Sequence, residues 1–189
     1  MQNNPQINMD GQTFAASESI PIEADSIWLL REGIVKTRAW TEEGTPIIMG
    51  YWGAEDIIGQ PLSLVSSYYQ VKCLTKVDAV SIPIDRVYLI TDLISRHVKQ
   101  TEELLYILRS DRMHQRLRKF LIWLAQKFGT EVEFGLMIDL RITHQDLAET
   151  IGATRVTVTK LINQLEQEGF LSRPERNTIV VLKQFSVDN

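Results

Sequence analysis

The chain of 189 residues is predicted to be an α+β protein: an N-terminal antiparallel β-barrel or roll, a long helix, and a C-terminal helix-turn-helix followed by a strand hairpin, or wing. Three observations predict this. Apolar residues fall in short or alternating runs up to residue 84 and recur at helical spacing after residue 85. Gly152 separates two short amphipathic segments, each preceded by a threonine. A turn-rich segment and a β-branched run then follow the second of them.

Residues 1–12 are polar and rich in Asn and Gln, with neither the basic start nor the apolar run of a signal peptide. Between Phe14 and Ile84, the runs at 27–30, 34–40, 46–51, 71–74 and 79–82 read as strands. Glu32-Gly33, Glu43-Gly44, Trp52-Gly53 and Val77-Asp78 read as the turns between them, which suits a compact antiparallel barrel. The single cysteine, Cys73, excludes an internal disulfide and a Cys-rich zinc or iron–sulfur site. In its strand-like run it reads as a packed small hydrophobe, with a redox sensor as the alternative.

In the helical half, Ile94, Val98, Thr101, Leu105, Leu108 and Arg112 alternate four and three residues apart, the a/d spacing of a two-stranded coiled coil. A seam between two copies fits this spacing, and so does a helix packed on its own barrel. In a seam, Thr101 is a polar break that sets register or touches a ligand. A second amphipathic helix over 116–128 turns Leu117, Phe120, Leu121, Leu124 and Phe128 inward. The expected division is a barrel domain over 1–92, a dimerisation helix over 93–115 and a winged helix-turn-helix domain over 116–189.

The segment 143–162 is the most informative. Leu147, Ala148 and Ile151 share one face of a first helix, which Thr143 can cap, with Asp146 as a partial capping box. Gly152 supplies the turn, and Ala148 is small enough for crossed helices to approach closely. Thr154 caps the second helix, where Val158, Leu161, Ile162 and Leu165 face inward. That leaves Arg155, Val156, Thr159, Lys160 and Asn163 outside, a stripe of two cations, hydrogen-bonding side chains and a valine that suits phosphates, base edges and a thymine methyl. A plain helical hairpin shares this spacing, but Phe170-Leu171, the turn segment 172–177 and the run 178–182 add a wing. Residues 137–140 offer that wing another strand.

The net charge of −4 argues against non-specific coating of nucleic acid. Residues 109–127 nevertheless hold six Lys or Arg against one acid, Asp111, beside the motif. No apolar stretch approaches a membrane span, so a cytoplasmic protein without membrane contact is expected. Walker, dinucleotide and Gly-x-Ser-x-Gly motifs are missing from the sequence, and Glu55 and Asp56 read as a turn before a strand rather than an acid/base dyad, since neighbours on an extended chain point to opposite faces, so no enzyme is expected. His97, His114 and His144 are scattered and read as surface or capping residues, with metal or haem ligation as the alternative; no cofactor is expected.

This order of elements resembles the cyclic-AMP receptor protein/FNR superfamily of bacterial transcription regulators over about residues 14–183. The match is strongest in Ile142-Thr143-x-Gln145-Asp146-Leu147-Ala148, Gly152-x-x-Arg155 and Thr157-Val158-x-x-Leu161. It is also visible in Leu30-x-x-Gly33, Glu43-Gly44 and Asp56-Ile57-Ile58-Gly59. The resemblance implies a cupin-like jelly roll of the cyclic-nucleotide-binding type, and a homodimer on palindromic double-stranded DNA. It places base reading on Arg155, Val156 and Lys160, with Thr159 beside them and Thr143, Thr154 and Thr157 as further DNA contacts. The cyclic-AMP receptor has a glutamate where Val156 stands. The string 154–159 is similar instead to cyanobacterial nitrogen regulators, which read GTA…TAC palindromes and carry arginine at the position of Lys160.

The same resemblance locates an effector pocket around Gly59, Gln60, Lys72 and Thr101. Cyclic-nucleotide binders follow the glycine with a ribose-binding glutamate and later place an Arg-Ser pair on the phosphate. Here Gln60 follows Gly59, and residues 66–72 hold no arginine, which removes the main counter-charge for a phosphodiester. Cyclic AMP is therefore not the expected effector, and the facing of Lys72 is open. An unidentified small-molecule effector and RNA polymerase, touched through residues 131–139, complete the expected partners. A sensor whose winged domain contacts protein rather than DNA is the rival reading.

Overall fold

The computed structural model describes residues 11–63, 69–109, 112–175 and 178–186. Contacts divide the chain into two units, Met1–Gln100 and Thr101–Asn189.

The first unit contains strands β1 (Gln12–Phe14), β2 (Ser19–Ile20), β3 (Ser26–Glu32), β4 (Val35–Trp40), β5 (Pro46–Trp52), β6 (Ile57–Ile58), β7 (Tyr69–Cys73) and β8 (Val77–Pro83). They form two four-stranded sheets of order β1-β8-β3-β6 and β2-β7-β4-β5, the strand order of a jelly roll. Alternation sets the faces: Trp28 and Leu30 of β3 and Val71 and Cys73 of β7 turn into one buried cluster with Val35, Trp52, Ile58 and Val77. The other side of β3 joins Ile27 to Ile57, Ile82 and Ile90.

Cys73 is a packed hydrophobe at 2% exposure, and burial, then the charge of Glu18, pushes its thiol up to about 11. Alkylation of the native chain at pH about 8 is accordingly expected to be at least tenfold slower than that of the denatured chain, because the thiolate is the nucleophile. A thiol-labelling time course checks this.

Val77 and Asp78 do not form the expected turn. Both lie in β8, with Phe14 opposite Val77 and Thr13 opposite Asp78. The chain reverses at Leu74 and Thr75, whose backbone N–H groups both donate to the Ile34 carbonyl. Arg31 stands 3.8 Å from the Asp78 carboxylate at the edge of this pairing.

Helix α1 spans Thr91–Leu108. It begins before residue 93 and ends well short of the expected boundary at 115. Arg112 is extended (φ −94°, ψ 128°) and caps the next helix, so it drops out of the heptad stripe. The sequence Ser110-Asp111 just before it is poor helix-forming chemistry. Ile94 also departs from the expected seam, since it packs on the Ile27 cluster of its own barrel. Val98 and Leu105 remain exposed, at 57% and 58%.

The second unit contains α2 (Met113–Phe128), β9 (Thr130–Val132), β10 (Gly135–Ile138), α3 (His144–Ile151), α4 (Arg155–Gln167), β11 (Leu171–Ser172), β12 (Ile179–Leu182) and α5 (Lys183–Ser186). Leu117, Phe120, Leu121 and Leu124 of α2 are buried, as their spacing predicts. The sheet order is β11-β12-β10-β9, so β11 and β12 form the wing and β10 extends it. The extra strand starts two residues earlier than expected and stops before Leu140. Gly135 allows it: a Cβ there would lie 2.0 Å from the Val181 carbonyl oxygen. Arg176 and Asn177 of the expected wing turn, and Ser66 to Tyr68 of the expected effector region, lie outside the described residues.

Candidate nucleic-acid interface

The first helix of the motif is fixed by a complete capping box. The Thr143 hydroxyl accepts from Asp146 N (3.0 Å) and donates to Asp146 Oδ2 (3.0 Å). That carboxylate also accepts from Thr143 N at 3.0 Å. Asp146 is 4% exposed, so Asp146→Ala removes the cap's acceptor from a buried site. The expected cost is about 1–2 kcal/mol, read as a lower thermal midpoint.

Gly152 ends α3 in the left-handed region (φ 72°, ψ 43°), and Arg116 of α2 donates to the Ile151 carbonyl at 2.7 Å. The last turn of α3 is thereby anchored to α2. Leu147, Ala148 and Ile151 are each 1% exposed, which is the close helix approach that a small Ala148 permits.

Helix α4 starts where Thr154 accepts from Thr157 N at 3.1 Å. Val158, Ile162 and Leu165 are fully buried and Leu161 half-buried. The opposite stripe leaves Arg155, Val156, Lys160 and Asn163 exposed, with Val156 at 64%. An apolar side chain so exposed beside two cations has little to gain from water and much from a thymine methyl.

The structure therefore brings Arg155, Val156, Thr159 and Lys160 onto one helix face. It gives the other threonines local work: Thr143 is committed to the capping box, and the Thr154 and Thr157 hydroxyls lie 2.9 Å apart in the second cap. Two further residues belong to this surface: Arg173, which the sequence placed only in the turn segment, and His144, which it read as a surface or capping residue. Arg173, after β11, donates through Nε to Glu166 at 3.1 Å and through Nη2 to Asn163 Oδ1 at 2.9 Å, tying the wing to α4. His144 bonds Thr159 across the turn (2.9 Å). Neither pair shows any sequence periodicity, because each contact spans different elements.

An open concavity of about 890 Å³ lies on this face, lined by residues that include Thr143, His144, Arg155 and Arg173. Burial, then the charges of Arg173 and Arg155, hold His144 below the usual histidine range. The Arg173 hydrogen bond likewise lowers Glu166. The concavity thus sets two guanidiniums, Arg155 and Arg173, beside two carboxylates, Glu166 and Glu175, with Glu166 paired to Arg173.

Among the expected effector residues of the barrel unit, Lys72 does not face the barrel interior. Val71 and Cys73 face the core between the sheets, so Lys72 leaves the other face of β7, directly opposite Lys36 of β4. This settles its facing against a role in the barrel interior. Gly59 is buried, Gln60 opens a short 3₁₀ turn (Gln60–Leu62), and Thr101 is exposed on α1.

A jelly roll, a long helix and a winged helix-turn-helix with an exposed cationic stripe define a DNA-binding regulator. Residues 115–184 match the model of the Crp-like helix-turn-helix domain. The regulatory protein CysR of Synechococcus elongatus is 38% identical over 164 residues, 85% of this chain and 79% of that protein. The global nitrogen regulator of a Nostoc species is 32% identical over 85% of this chain and 80% of its own length. Among solved structures, a Crp-family regulator from Thermus thermophilus has the same fold (TM-score 0.78, 16% identity, 94% and 97% coverage). The chain belongs to the Crp/FNR family of transcription regulators, and it is a transcription regulator of that type.

Proposed function

We propose that two copies of this chain bind a palindromic duplex, each placing α4 in the major groove of one half-site, about 34 Å apart. The observation that carries this reading is the exposed Arg155, Val156 and Lys160 stripe above a fully buried Val158, Ile162 and Leu165. In this reading, Arg155 pairs with a guanine, Val156 meets a thymine methyl, and Lys160 holds a base edge or a phosphate. The likeness of residues 154–159 to nitrogen regulators, the name that two relatives carry, favours a GTA…TAC type of site. Lysine in place of arginine relaxes the choice, because it lacks bidentate geometry.

Dimerisation is supported by Val98 and Leu105, exposed seven residues apart on α1 with Thr101 between them. Control by something other than cyclic AMP is supported by Gln60 after Gly59, by Lys72 leaving the outer face of β7, and by Trp28 and Trp52 in the cluster between the sheets. Another small molecule is the effector this reading leaves. The β9–β10 hairpin, with Glu131 on β9 and Glu133 and Phe134 (67% exposed) in its turn, is the surface offered to RNA polymerase. The chain works by binding rather than catalysis. No helix among the described residues is long and apolar enough to cross a membrane, which agrees with action on DNA in the cytoplasm.

Selection of duplexes from a random pool, with and without cell metabolites, tests the reading. A two-fold symmetric site is expected to be enriched. Enrichment of none in either condition would leave the winged unit as a protein-contact module.

A further inference from the structure

His144 opens α3, and its Nδ1 lies 2.9 Å from the Thr159 hydroxyl oxygen of α4. That hydroxyl has one proton, which it donates to the Arg155 carbonyl at 3.0 Å. The contact with His144 therefore needs a proton on Nδ1. In the neutral ring this leaves Nε2 with a bare lone pair. In the cation, Nε2 gains a proton while Nδ1 still donates to Thr159. Charging the ring thus keeps the link between the helices and adds a donor.

The ring lies where DNA phosphate is expected under the proposed DNA-reading face, on which this inference rests. We propose that His144 is a positioning residue of that face: it holds Thr159 from α3 and takes up a proton as a phosphate enters the concavity, so that DNA affinity rises as pH falls.

The surrounding charges give the sign. On its own helix, Asp146 is consumed in the cap. From α4 come Arg155 and Glu166, and from the segment after β11 come Arg173 and Glu175, all lining the same concavity. Burial, then the charges of Arg173 and Arg155, disfavour the imidazolium in the free chain, even with Glu166 and Glu175 on the same lining. A phosphodiester is anionic throughout the accessible pH range; it offsets both guanidiniums and accepts from Nε2–H. The pKa in the complex then exceeds that of the free chain. Between the two values binding takes up a proton and affinity climbs as pH falls; above both, it is flat.

The test is fluorescence anisotropy on the selected duplex at fixed ionic strength, from about pH 5.5 to about pH 8.5, the range in which histidine titrates. Wild type, His144→Gln, His144→Arg and His114→Gln are compared as full chains. His114 serves as the control because it lies instead beside Glu168, at 3.1 Å. Wild-type and His114→Gln affinity is expected to rise severalfold from about pH 8 to about pH 6, about tenfold being the ceiling that one pKa unit of difference between free and bound states sets at lower pH. His144→Gln is expected to stay flat at the wild-type high-pH affinity, and His144→Arg flat at the low-pH affinity. Specific binding by wild type with no pH slope, or the same slope in His144→Gln, overturns the proposal and leaves the DNA-reading face standing. Specific binding by none of the four proteins at any pH removes both.

Discussion

Val98→Glu combined with Leu105→Glu is expected to give a folded monomer whose affinity for the palindrome is about 10²–10⁴-fold weaker, the loss that follows when two linked half-site contacts become independent. Both side chains are more than half exposed in the single chain, at 57% and 58%, so the substitutions remove no core packing. Their effect is confined to whatever covers the stripe. In a seam, four glutamates would face one another across a low-dielectric contact, where like charges are most costly. Ile94→Glu is the informative contrast. Ile94 packs against the Ile27, Ile57, Ile82 and Ile90 cluster, so that substitution is expected to lower the thermal midpoint of the barrel. Sedimentation velocity, thermal unfolding and duplex titration of the two variants together separate association from folding. An unchanged sedimentation coefficient for the double variant would place the dimer contact elsewhere.

Arg155→Ala is expected to cost about 1–3 kcal/mol on the selected site, roughly 5- to 150-fold, and much less on random DNA. Arg155 is exposed at the first turn of α4, and its backbone carbonyl accepts from Thr159. The backbone contact persists in alanine, so the substitution isolates the guanidinium. If Lys160 serves a phosphate, Lys160→Ala should weaken binding about equally on every sequence and reduce the salt slope by about one. Titration of each variant against the selected and a scrambled duplex separates the roles. Equal loss on both duplexes for Arg155→Ala would move it to the phosphate class.

The helix-turn-helix was legible because its information is local. Thr143, Asp146, Gly152 and Thr154 act within four residues of their partners, and burial of Leu147, Ala148, Ile151, Val158, Ile162 and Leu165 follows a helical period. The five longer barrel strands were legible from their runs, except where Asp78 imitated a turn residue, whereas the two- and three-residue strands β1, β2 and β6 are too short to show a period. The strand role of Asp78 comes from ladder partners distant in sequence, Thr13 and Glu32. The heptad reading failed at both ends for the same reason. Spacing cannot show that Ile94 meets its own barrel, or that α1 stops at Leu108. The His144–Thr159 and Arg173–Glu166 contacts were invisible because they join different elements of the fold. Lys72 needed the strand register before its facing could be assigned.

The central claim is that α4 reads a base sequence. Its most direct measurement is the ratio of affinities for the selected palindrome and for a scrambled duplex of equal length and composition, at one physiological salt concentration. The account predicts a ratio of about 10³ or more, in the range of specific regulators. A ratio near one, with both affinities falling together as salt rises, would contradict it.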